Sequence, residues 1–299
     1  MSRRKRGLGS LSGGDRWTVG LMVSIPTFLV LALVWLPALA SVLLSFTRWD
    51  GYGGFSDIEW IGTRNYHDIV NIYPPFDPAI RHNLIWFAVF FFIATPLGMF
   101  FAVLLDRELR GSRLYQTAFY LPVVISLALT GFIWQLIYSR DQGLLNEVLN
   151  RETDWLGDPN INLWAVLVAA SWRHIGYIML LYLAGLKSVD PTLREAAAID
   201  GANELKTFFR VIFPVMRPVN IVILVITVIE SLRAFDLVWV INRGRNGLEL
   251  ISALVLSNII GEASRIGFGS ALATIMLVIS SVFITIYLIA VFRGDQRRL

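Results

Sequence analysis

Cysteine is absent from this 299-residue chain, and histidine occurs only three times. The lack of cysteine excludes disulfides, thiolate nucleophiles and cysteine-based metal sites. The histidines, His67, His82 and His174, are too scattered for an H-E-x-x-H zinc site, and no G-x-S-x-G nucleophile elbow is present. The sequence therefore disfavours an enzyme, and it predicts no catalytic residue and no metal site.

A nucleotide-binding phosphate loop is also missing. The chain has no G-x-x-x-x-G-K-S/T segment, in which backbone amides and a lysine hold the phosphates of a nucleotide. We therefore expect that this chain does not bind ATP in the usual way. Any ATP-driven work would depend on another subunit.

Charged residues are scarce. They make up 16% of the chain, whereas hydrophobic residues make up 56% and the mean hydropathy is +0.62. Soluble domains contain roughly 45–50% apolar and about 25% charged residues. The composition therefore predicts an all-α integral membrane protein. The net charge of +4 does not indicate nucleic-acid binding, because the membrane topology explains where the cations lie.

Six apolar runs are long enough to cross a bilayer, which takes about 20 helical residues. Each should be a helix, because an open sheet would leave backbone groups unpaired in lipid. The first run contains Ala38-Leu39-Ala40, which has the form of a signal cleavage site, but the run is longer than the ~7–15 apolar residues of a signal peptide and continues past that site. A basic tail, 1–18, precedes the predicted spans, which are 19–46, 84–105, 117–138, 163–186, 219–241 and 266–292.

Lysine and arginine predict the orientation of these spans. Sixteen of them lie in the segments on the same side as the amino terminus, and eight lie in the segments on the other side. By the positive-inside rule, both termini and the segment 190–218 face the cytoplasm.

The segment 190–218 is amphipathic and lies between two apolar runs. Asp190 and Pro191 suit the start of a helix, and Gly201 suits its end. A second helix, which Pro214 is expected to stop, carries an apolar stripe at helical spacing. Such a stripe needs a covering surface: a partner protein, the chain's own helix ends or the lipid surface. The stripe consists of Leu205, Phe208, Phe209, Ile212 and Phe213.

This segment resembles the EAA loop of permease subunits of ATP-binding-cassette importers. Glu195-Ala196-Ala197 is followed after three residues by Gly201 and, nine residues later, by Val211-Ile212-Phe213-Pro214, against the family pattern EAA-x3-G-x9-I-x-L-P. The two departures, Val211 and Phe213, keep apolar residues. In that family the loop is a pair of coupling helices, between helices 4 and 5 of a type I importer fold, that sits in a groove of the ATPase subunit. The resemblance implies this role for Glu195, Ala196, Ala197, Asp200, Gly201, Phe208, Phe209 and Pro214.

Other segments are similar to permeases of carbohydrate importers of the maltose type. They are Trp60-Ile61-Gly62, Asn65-Tyr66, Phe119 to Pro122 and Phe235 to Trp239, whereas 242–247 departs from the family's glycine-rich turn. The resemblance implies half of a pore for a di- or oligosaccharide in a bacterial or archaeal cytoplasmic membrane. It also implies a homologous second permease, two ATPase subunits that bind ATP and magnesium, and an extracytoplasmic solute-binding protein.

Several polar residues fall inside predicted spans, where a charge needs a partner or a water-filled cavity. Glu230, Arg233 and Asp236 are spaced i, i+3, i+6, so neighbours could pair along one helix face. They either line a translocation path or form a structural ion-pair network. We predict a substrate pathway that contains these three residues with Arg173, Tyr177, Gln135 and Trp134. Trp134 could stack on the C–H face of a pyranose, and Gln135 could hydrogen-bond it.

Other functions remain open from the sequence. An importer of a glycerophosphodiester or a polyol would use the same architecture. A secondary carrier would use Glu230, Arg233 and Asp236 as an ion relay, but it would also need inverted repeats and broken helices, and the sequence shows neither. A membrane scaffold or assembly factor would show no solute-dependent activity.

Overall fold

The structure is a computed structural model that describes residues 13–52, 54–107, 111–260 and 264–296. Within these residues, four helices are long and apolar enough to cross a membrane, and the number rises to six if each of two bent helix pairs counts as one span. This confirms the predicted all-helical membrane architecture. Most of the predicted basic tail, 1–12, lies outside the described residues.

The first span is one long helix with a local widening. It consists of α1 (Gly13–Val30), a π-helical turn (Leu31–Trp35) and α2 (Leu36–Leu44). Pro37 follows the π turn, which accommodates the proline's missing N–H without ending the helix. None of the apolar core of this span is buried within the chain. The first part of this span, α1, is therefore available to lipid or to another membrane protein, whereas α2 packs against the last span.

A small extramembrane structure follows the first span. Strands β1 (Thr47–Arg48) and β2 (Glu59–Trp60) pair antiparallel, with Thr47 opposite Trp60, and helix α3 (Arg64–Asn71) comes next. The Nδ2 group of Asn65 donates hydrogen bonds to the carbonyl oxygens of Ser45 and Thr47, both at 2.9 Å. Asn65 thus ties α3 to the end of the first span, an arrangement that the predicted spans do not contain.

The second span starts earlier than predicted. It runs through α4 (Phe76–Val89), a π turn (Phe90–Ala94) and α5 (Thr95–Asp106), so it begins eight residues before the predicted start at 84. The added residues are polar in part, and tertiary hydrogen bonds stabilise them. Asn83, for example, is only 3% exposed and bonds to two other segments.

The third span is not a single helix, contrary to the prediction for 117–138. Helices α6 (Ser112–Val124) and α7 (Leu127–Ile137) meet at an angle of 102°. Ile125 and Ser126 have extended backbones, and the Ser126 hydroxyl accepts a hydrogen bond from the Leu129 amide to cap α7. The apolar composition of the run gives no indication of this bend, because both helices are apolar.

The fourth span lies at the centre of the bundle. After the short helix α8 (Leu144–Leu149), α9 (Asn162–Ser188) has 56% of its apolar core buried, against 28% for the second span. Close helix contacts are possible because of glycines. A Cβ atom on Gly98 of α5 would lie 2.9 Å from the side chain of Ile178. The close pairing of α5 with α9 therefore depends on glycine at position 98.

The segment after the fourth span forms the predicted helix pair with one difference. It contains α10 (Thr192–Ile199), α11 (Glu204–Thr207), a π turn (Phe208–Ile212) and α12 (Phe213–Val215). The helix ends at Val215, one residue after the predicted stop at Pro214. The chain turns by 79° after α12, around Met216, and Asn220 donates a hydrogen bond to the carbonyl of Phe213 at this turn.

The fifth span is also interrupted. It consists of α13 (Arg217–Leu232) and α14 (Asp236–Asn242), and the predicted continuous helix 219–241 is wrong at 233–235. A further unpredicted helix, α15 (Ile251–Ile259), precedes the last span, α16 (Ile266–Gln296).

The two ends of the bundle are distinct. We call the end that carries 190–216 the loop face, and the opposite end the far face. On the far face, the Gly267 amide donates to the Trp49 carbonyl at 3.1 Å, and Asn162 Nδ2 donates to the Asn246 carbonyl at 2.6 Å. Three buried clusters connect the spans: one around Trp86 and Val166, one around Met179 and Met216, and one around Ile251 and Leu272.

Candidate functional site

A polar cavity lies inside the helix bundle. Its volume is about 420 Å³, and it is lined by residues of the second to fifth spans. The aromatic part of its wall comes from Trp86, Phe90, Tyr177 and Phe235. The charged part consists of Arg173, Glu230, Arg233 and Asp236. The structure therefore brings five of the seven predicted pathway residues, namely Arg173, Tyr177, Glu230, Arg233 and Asp236, to one cavity.

Arg173 of the fourth span pairs with Glu230 of the fifth, so the ion pair in this cavity crosses between helices and does not follow one helix face. The Arg173 guanidinium lies 3.9 Å from the Glu230 carboxylate, and the two side chains are 28% and 42% exposed. Arg233 follows the last residue of α13 and Asp236 starts α14, so the interruption between them prevents the three residues from lying along one continuous helix face. Two cations and two anions thus surround a partly open space that could hold a polar solute of no net charge.

His174 is part of the wall, but it is held by the protein itself. Its ring stacks on Phe90 with centroids 4.1 Å apart, and its Nε2 lies 3.4 Å from the Thr95 hydroxyl. The Thr95 hydroxyl lies 3.2 Å from that of Thr227, which donates to the Ile223 carbonyl. This chain of polar contacts joins the second, fourth and fifth spans and agrees with the packed, hydrogen-bonded role that is usual for a single buried histidine.

Gln135 and Trp134 do not line this cavity. Gln135 Nε2 donates a hydrogen bond to the Val240 carbonyl at 3.1 Å, which connects α7 to α14. Trp134 packs against Tyr138 and Trp172, with ring centroids 5.0 and 5.8 Å away. Both residues therefore hold helices together in this structure, because the bend between α6 and α7 carries them away from the cavity.

Three aromatic lining residues were not predicted from the sequence. Trp86 and Phe90 belong to the second span, and Phe235 lies at the interruption of the fifth, where it stacks on Trp239 with centroids 5.3 Å apart. Trp86 and Phe90 are four positions apart and share a helix face. Their apolar surroundings make this pair look like ordinary span packing, so only the tertiary structure reveals the position beside the cavity.

The helix pair on the loop face is a second candidate site. Gly201 has φ +72° and closes α10, with the Gly201 and Ala202 amides donating to the carbonyls of Ala198 and Ala197. Asn203 caps α11 by accepting a hydrogen bond from the Lys206 amide at 2.9 Å. At the start of the pair, the Asp190 carboxylate accepts hydrogen bonds from the amide and hydroxyl of Thr192, and these bonds hold its pKa below the usual range.

The predicted apolar stripe divides into two faces. Leu205 and Phe209 are 70% and 56% exposed, and Ile199 at the end of α10 is 87% exposed. Ile212 is buried, and Phe208 packs against the same cluster. The chain's own core therefore covers the inner residues, Phe208 and Ile212, because the π turn rotates them toward it. The outer residues still lack a covering surface within the described chain.

The residues of the predicted coupling motif lie on both faces. Glu195, Ala196, Asp200, Gly201, Phe209 and Pro214 are exposed, whereas Ala197 is buried and Phe208 is partly buried. The exposed set, with Ile199 and Leu205, forms one surface on the loop face that we call the coupling surface.

The coupling segment is attached to the neighbouring spans by ion pairs. The Asp106 carboxylate at the end of α5 contacts Arg194 of α10 at 2.6 Å and Lys187 of α9 at 3.2 Å. Arg107 and Glu204 form a second, more exposed pair. None of these acidic residues was singled out from the sequence, since a carboxylate beside basic residues at a membrane boundary is an ordinary feature there.

The chain belongs to a known family. Residues 94–298 match the binding-protein-dependent transport system inner membrane component family, the permease subunits of ABC importers, and the protein is therefore a membrane transport component.

Individual relatives are similar over most of their length. The chain is 33% identical to the arabinooligosaccharides transport system permease protein AraP of Halalkalibacterium halodurans over 91% of this chain and 87% of that protein. It is 31% identical to the xylose/arabinose import permease protein XacH of Haloferax volcanii over 80% of this chain and 81% of that protein.

A solved structure has the same fold. A chain in the crystal structure of a bacterial ABC transporter involved in the import of the acidic polysaccharide alginate matches with a TM-score of 0.80 at 20% identity. The match covers 94% of this chain and 96% of that chain.

Proposed function

We propose that this permease forms half of the translocation pathway for a sugar, a di- or oligosaccharide, that an extracytoplasmic binding protein delivers. The observation that carries the proposal is the coupling surface. It combines the EAA-type spacing with exposed apolar side chains, Leu205 and Phe209, on a helix pair fixed to the ends of the spans. Exposed apolar side chains on a rigid, polar-flanked element are typical of a protein-docking site.

The orientation follows from the excess of basic residues on one side. Both termini and the loop face lie in the cytoplasm, where an ATPase subunit can reach the coupling surface. The far face, which includes 47–52, 54–75 and 139–161, meets the binding protein outside the cytoplasmic membrane.

The working complex contains two permeases and two ATPases. The cavity described above has walls from one chain, and the first span buries none of its apolar core within that chain. A homologous second permease would complete the pathway. ATP and magnesium are held by the two ATPase subunits, and closure of these subunits moves the coupling surface and opens the cavity alternately to each side.

A sugar is the best-supported solute for two reasons. The two relatives named above carry sugars according to their names, and the cavity combines aromatic rings with polar groups that suit hydroxyl-rich rings. A glycerophosphodiester or a polyol is the alternative within the same mechanism. The four charged lining residues balance, which favours a neutral solute over the charged phosphodiester.

The docking part of the proposal is tested by co-purification. The tagged chain is expressed with its genomic neighbours and isolated in mild detergent, and a second permease and an ATPase are expected with it. The substitution Phe209→Asp should release the ATPase, because it places a charge in an apolar contact. Val148→Asp makes the same change at a side chain that is 73% exposed on the far face, and the ATPase should remain bound. An ATPase that stays bound to the Phe209→Asp chain would exclude this docking surface.

The transport part is tested in proteoliposomes. Uptake of labelled oligosaccharide should require both ATP and the loaded binding protein. Uptake that continues without nucleotide and collapses with an ion gradient would identify a secondary carrier instead, with Glu230, Arg233 and Asp236 as its relay.

A further inference from the structure

Asp106 is a nearly buried carboxylate on the loop face. It is the last residue of α5, and its side chain is only 7% exposed. Its two oxygens are divided between two helices: Oδ2 contacts Arg194 of α10 at 2.6 Å, and Oδ1 contacts Lys187 of α9 at 3.2 Å. One side chain thus joins the ends of the second and fourth spans to the first coupling helix.

The position of Asp106 is unfavourable without these partners. The carboxyl end of a helix carries a partial negative charge, so it favours lysine or arginine and disfavours aspartate. Removing a carboxylate from water adds a further cost, which only well-placed opposite charges and hydrogen bonds offset. The stability of a charged Asp106 therefore depends on Arg194 and Lys187 remaining in place, and the position of α10 depends on Asp106 in turn.

The second ion pair of the loop face is different. Arg107 and Glu204 have side chains that are 52% and 77% exposed, and exposed pairs contribute little because water and salt screen them. The attachment through Asp106 is less screened, because its carboxylate is 7% exposed, although Arg194 and Lys187 are 41% and 52% exposed.

The other end of the coupling segment is fixed by packing. Met216, at the 79° turn, is 3% exposed and lies against Gly185 of α9. A Cβ atom on Gly185 would lie 2.8 Å from Met216 Cε and 3.0 Å from Val219 Cγ1, so the two segments pack closely at this glycine. Both ends of the segment are thus held by the same end of the fourth span.

We infer that Asp106 is a positioning residue for energy coupling. It joins α10 to the ends of the second and fourth spans, so that displacement of the coupling surface moves these three helix ends together. Without the negative charge of Asp106, α10 would move relative to the spans, and closure of the ATPase subunits would no longer change the conformation of the cavity. The inference rests on the proposed function, since it requires an ATPase on the coupling surface.

The test measures solute transported per ATP hydrolysed in proteoliposomes that contain the whole complex. Asp106→Asn should lower this ratio at least about fivefold, the lower end of typical coupling between sites, while the ATPase still co-purifies and hydrolyses ATP. Asp77→Asn is the matched control. Asp77 also pairs with an arginine, Arg81, at 2.8 Å, but its side chain is 70% exposed and lies on the far face. The double exchange Asp106→Arg with Arg194→Asp keeps the net charge and should recover part of the ratio.

A cross-link provides a second test that does not depend on the stability of the Asn variant. The chain has no cysteine, so Asp106→Cys with Arg194→Cys introduces the only two thiols of the permease. Joining the two cysteines with a short bis-maleimide should raise the amount of solute transported per ATP hydrolysed above that of the unlinked double variant. If the link abolishes transport, or if the unlinked and Asn variants keep the wild-type ratio, the inference is wrong. If the wild-type complex itself shows no ATP-dependent uptake, the proposed function fails instead.

Discussion

Gly201 has a left-handed backbone in open space at the junction of the two coupling helices. Its φ is +72°, and a Cβ atom there would meet no atom within 4 Å. A substitution would therefore act through backbone conformation and through the surface presented to a partner. The residue has no packing role within the chain, so its effect on function can be separated from an effect on folding.

Gly201→Leu should weaken capture of the ATPase by about tenfold, because a left-handed conformation costs an L-residue roughly 1–2 kcal/mol. Insertion into the membrane should be unchanged. Binding of the ATPase to the detergent-solubilised permease measures the effect. Gly62→Leu is the control, since Gly62 also has positive φ (+60°) and open surroundings but lies on the far face. Equal loss of binding in both variants would show a general folding defect and would contradict a specific role for Gly201.

At the scale of elements, the interruption of the fifth span is the feature that shapes the cavity. It frees the backbone carbonyls of Ser231 and Ala234, which in a membrane must find partners inside the protein. Asn83 Nδ2 donates to the Ser231 carbonyl at 3.2 Å, and the Ser252 hydroxyl donates to the Ala234 carbonyl at 2.5 Å. The second span and α15 thus support the interruption.

Asn83→Leu should destabilise the permease by about 1–3 kcal/mol for each buried backbone group that loses its partner. The groups concerned are the Ser231 carbonyl and the Ile251 amide, which donates to Asn83 Oδ1 at 3.0 Å. A lower thermal midpoint of the purified chain in detergent would be the readout. Asn71→Leu is the control, because Asn71 is exposed and bonds only within its own helix, to the His67 carbonyl. An unchanged midpoint for Asn83→Leu would contradict this bracing role.

At the scale of the whole molecule, four spans combine to form the cavity. Arg173 and Tyr177 come from the fourth span, and Glu230 comes from the fifth, next to its interruption. Because the opposing charges balance within the cavity, the loss of one of them should alter solute binding without preventing assembly.

Glu230→Gln should raise the KM for uptake by about tenfold, since a hydrogen bond to a charged group contributes roughly 1.5–3 kcal/mol. ATPase binding should be unaffected. Gln135→Leu is the comparison, because Gln135 bonds to the Val240 carbonyl outside the cavity and should leave KM unchanged. If only Gln135→Leu changes KM, the solute passes along α7 and this cavity is not the binding site.

Sequence alone was sufficient for the features that depend on composition and short spacing. The membrane class and the helix–glycine–helix segment at 190–216 follow from apolar runs and from Gly201, because each depends on local physical chemistry, and the EAA spacing adds a resemblance to a known family. Glu230, Arg233 and Asp236 were also recognisable, since charges inside apolar runs are costly wherever the helix lies.

Tertiary structure decided how these parts meet. The interruption at 233–235 is supported by hydrogen bonds from distant segments, and the bend at Ser126 is capped by a local bond within an apolar run, so apolar periodicity could not reveal either of them. The same holds for the division of the Phe stripe, which the π turn and the core around Met216 produce. Asp106 is the clearest case: its own sequence neighbourhood gives no sign of a role. That role arises because folding places Arg194, 88 residues away, against its carboxylate.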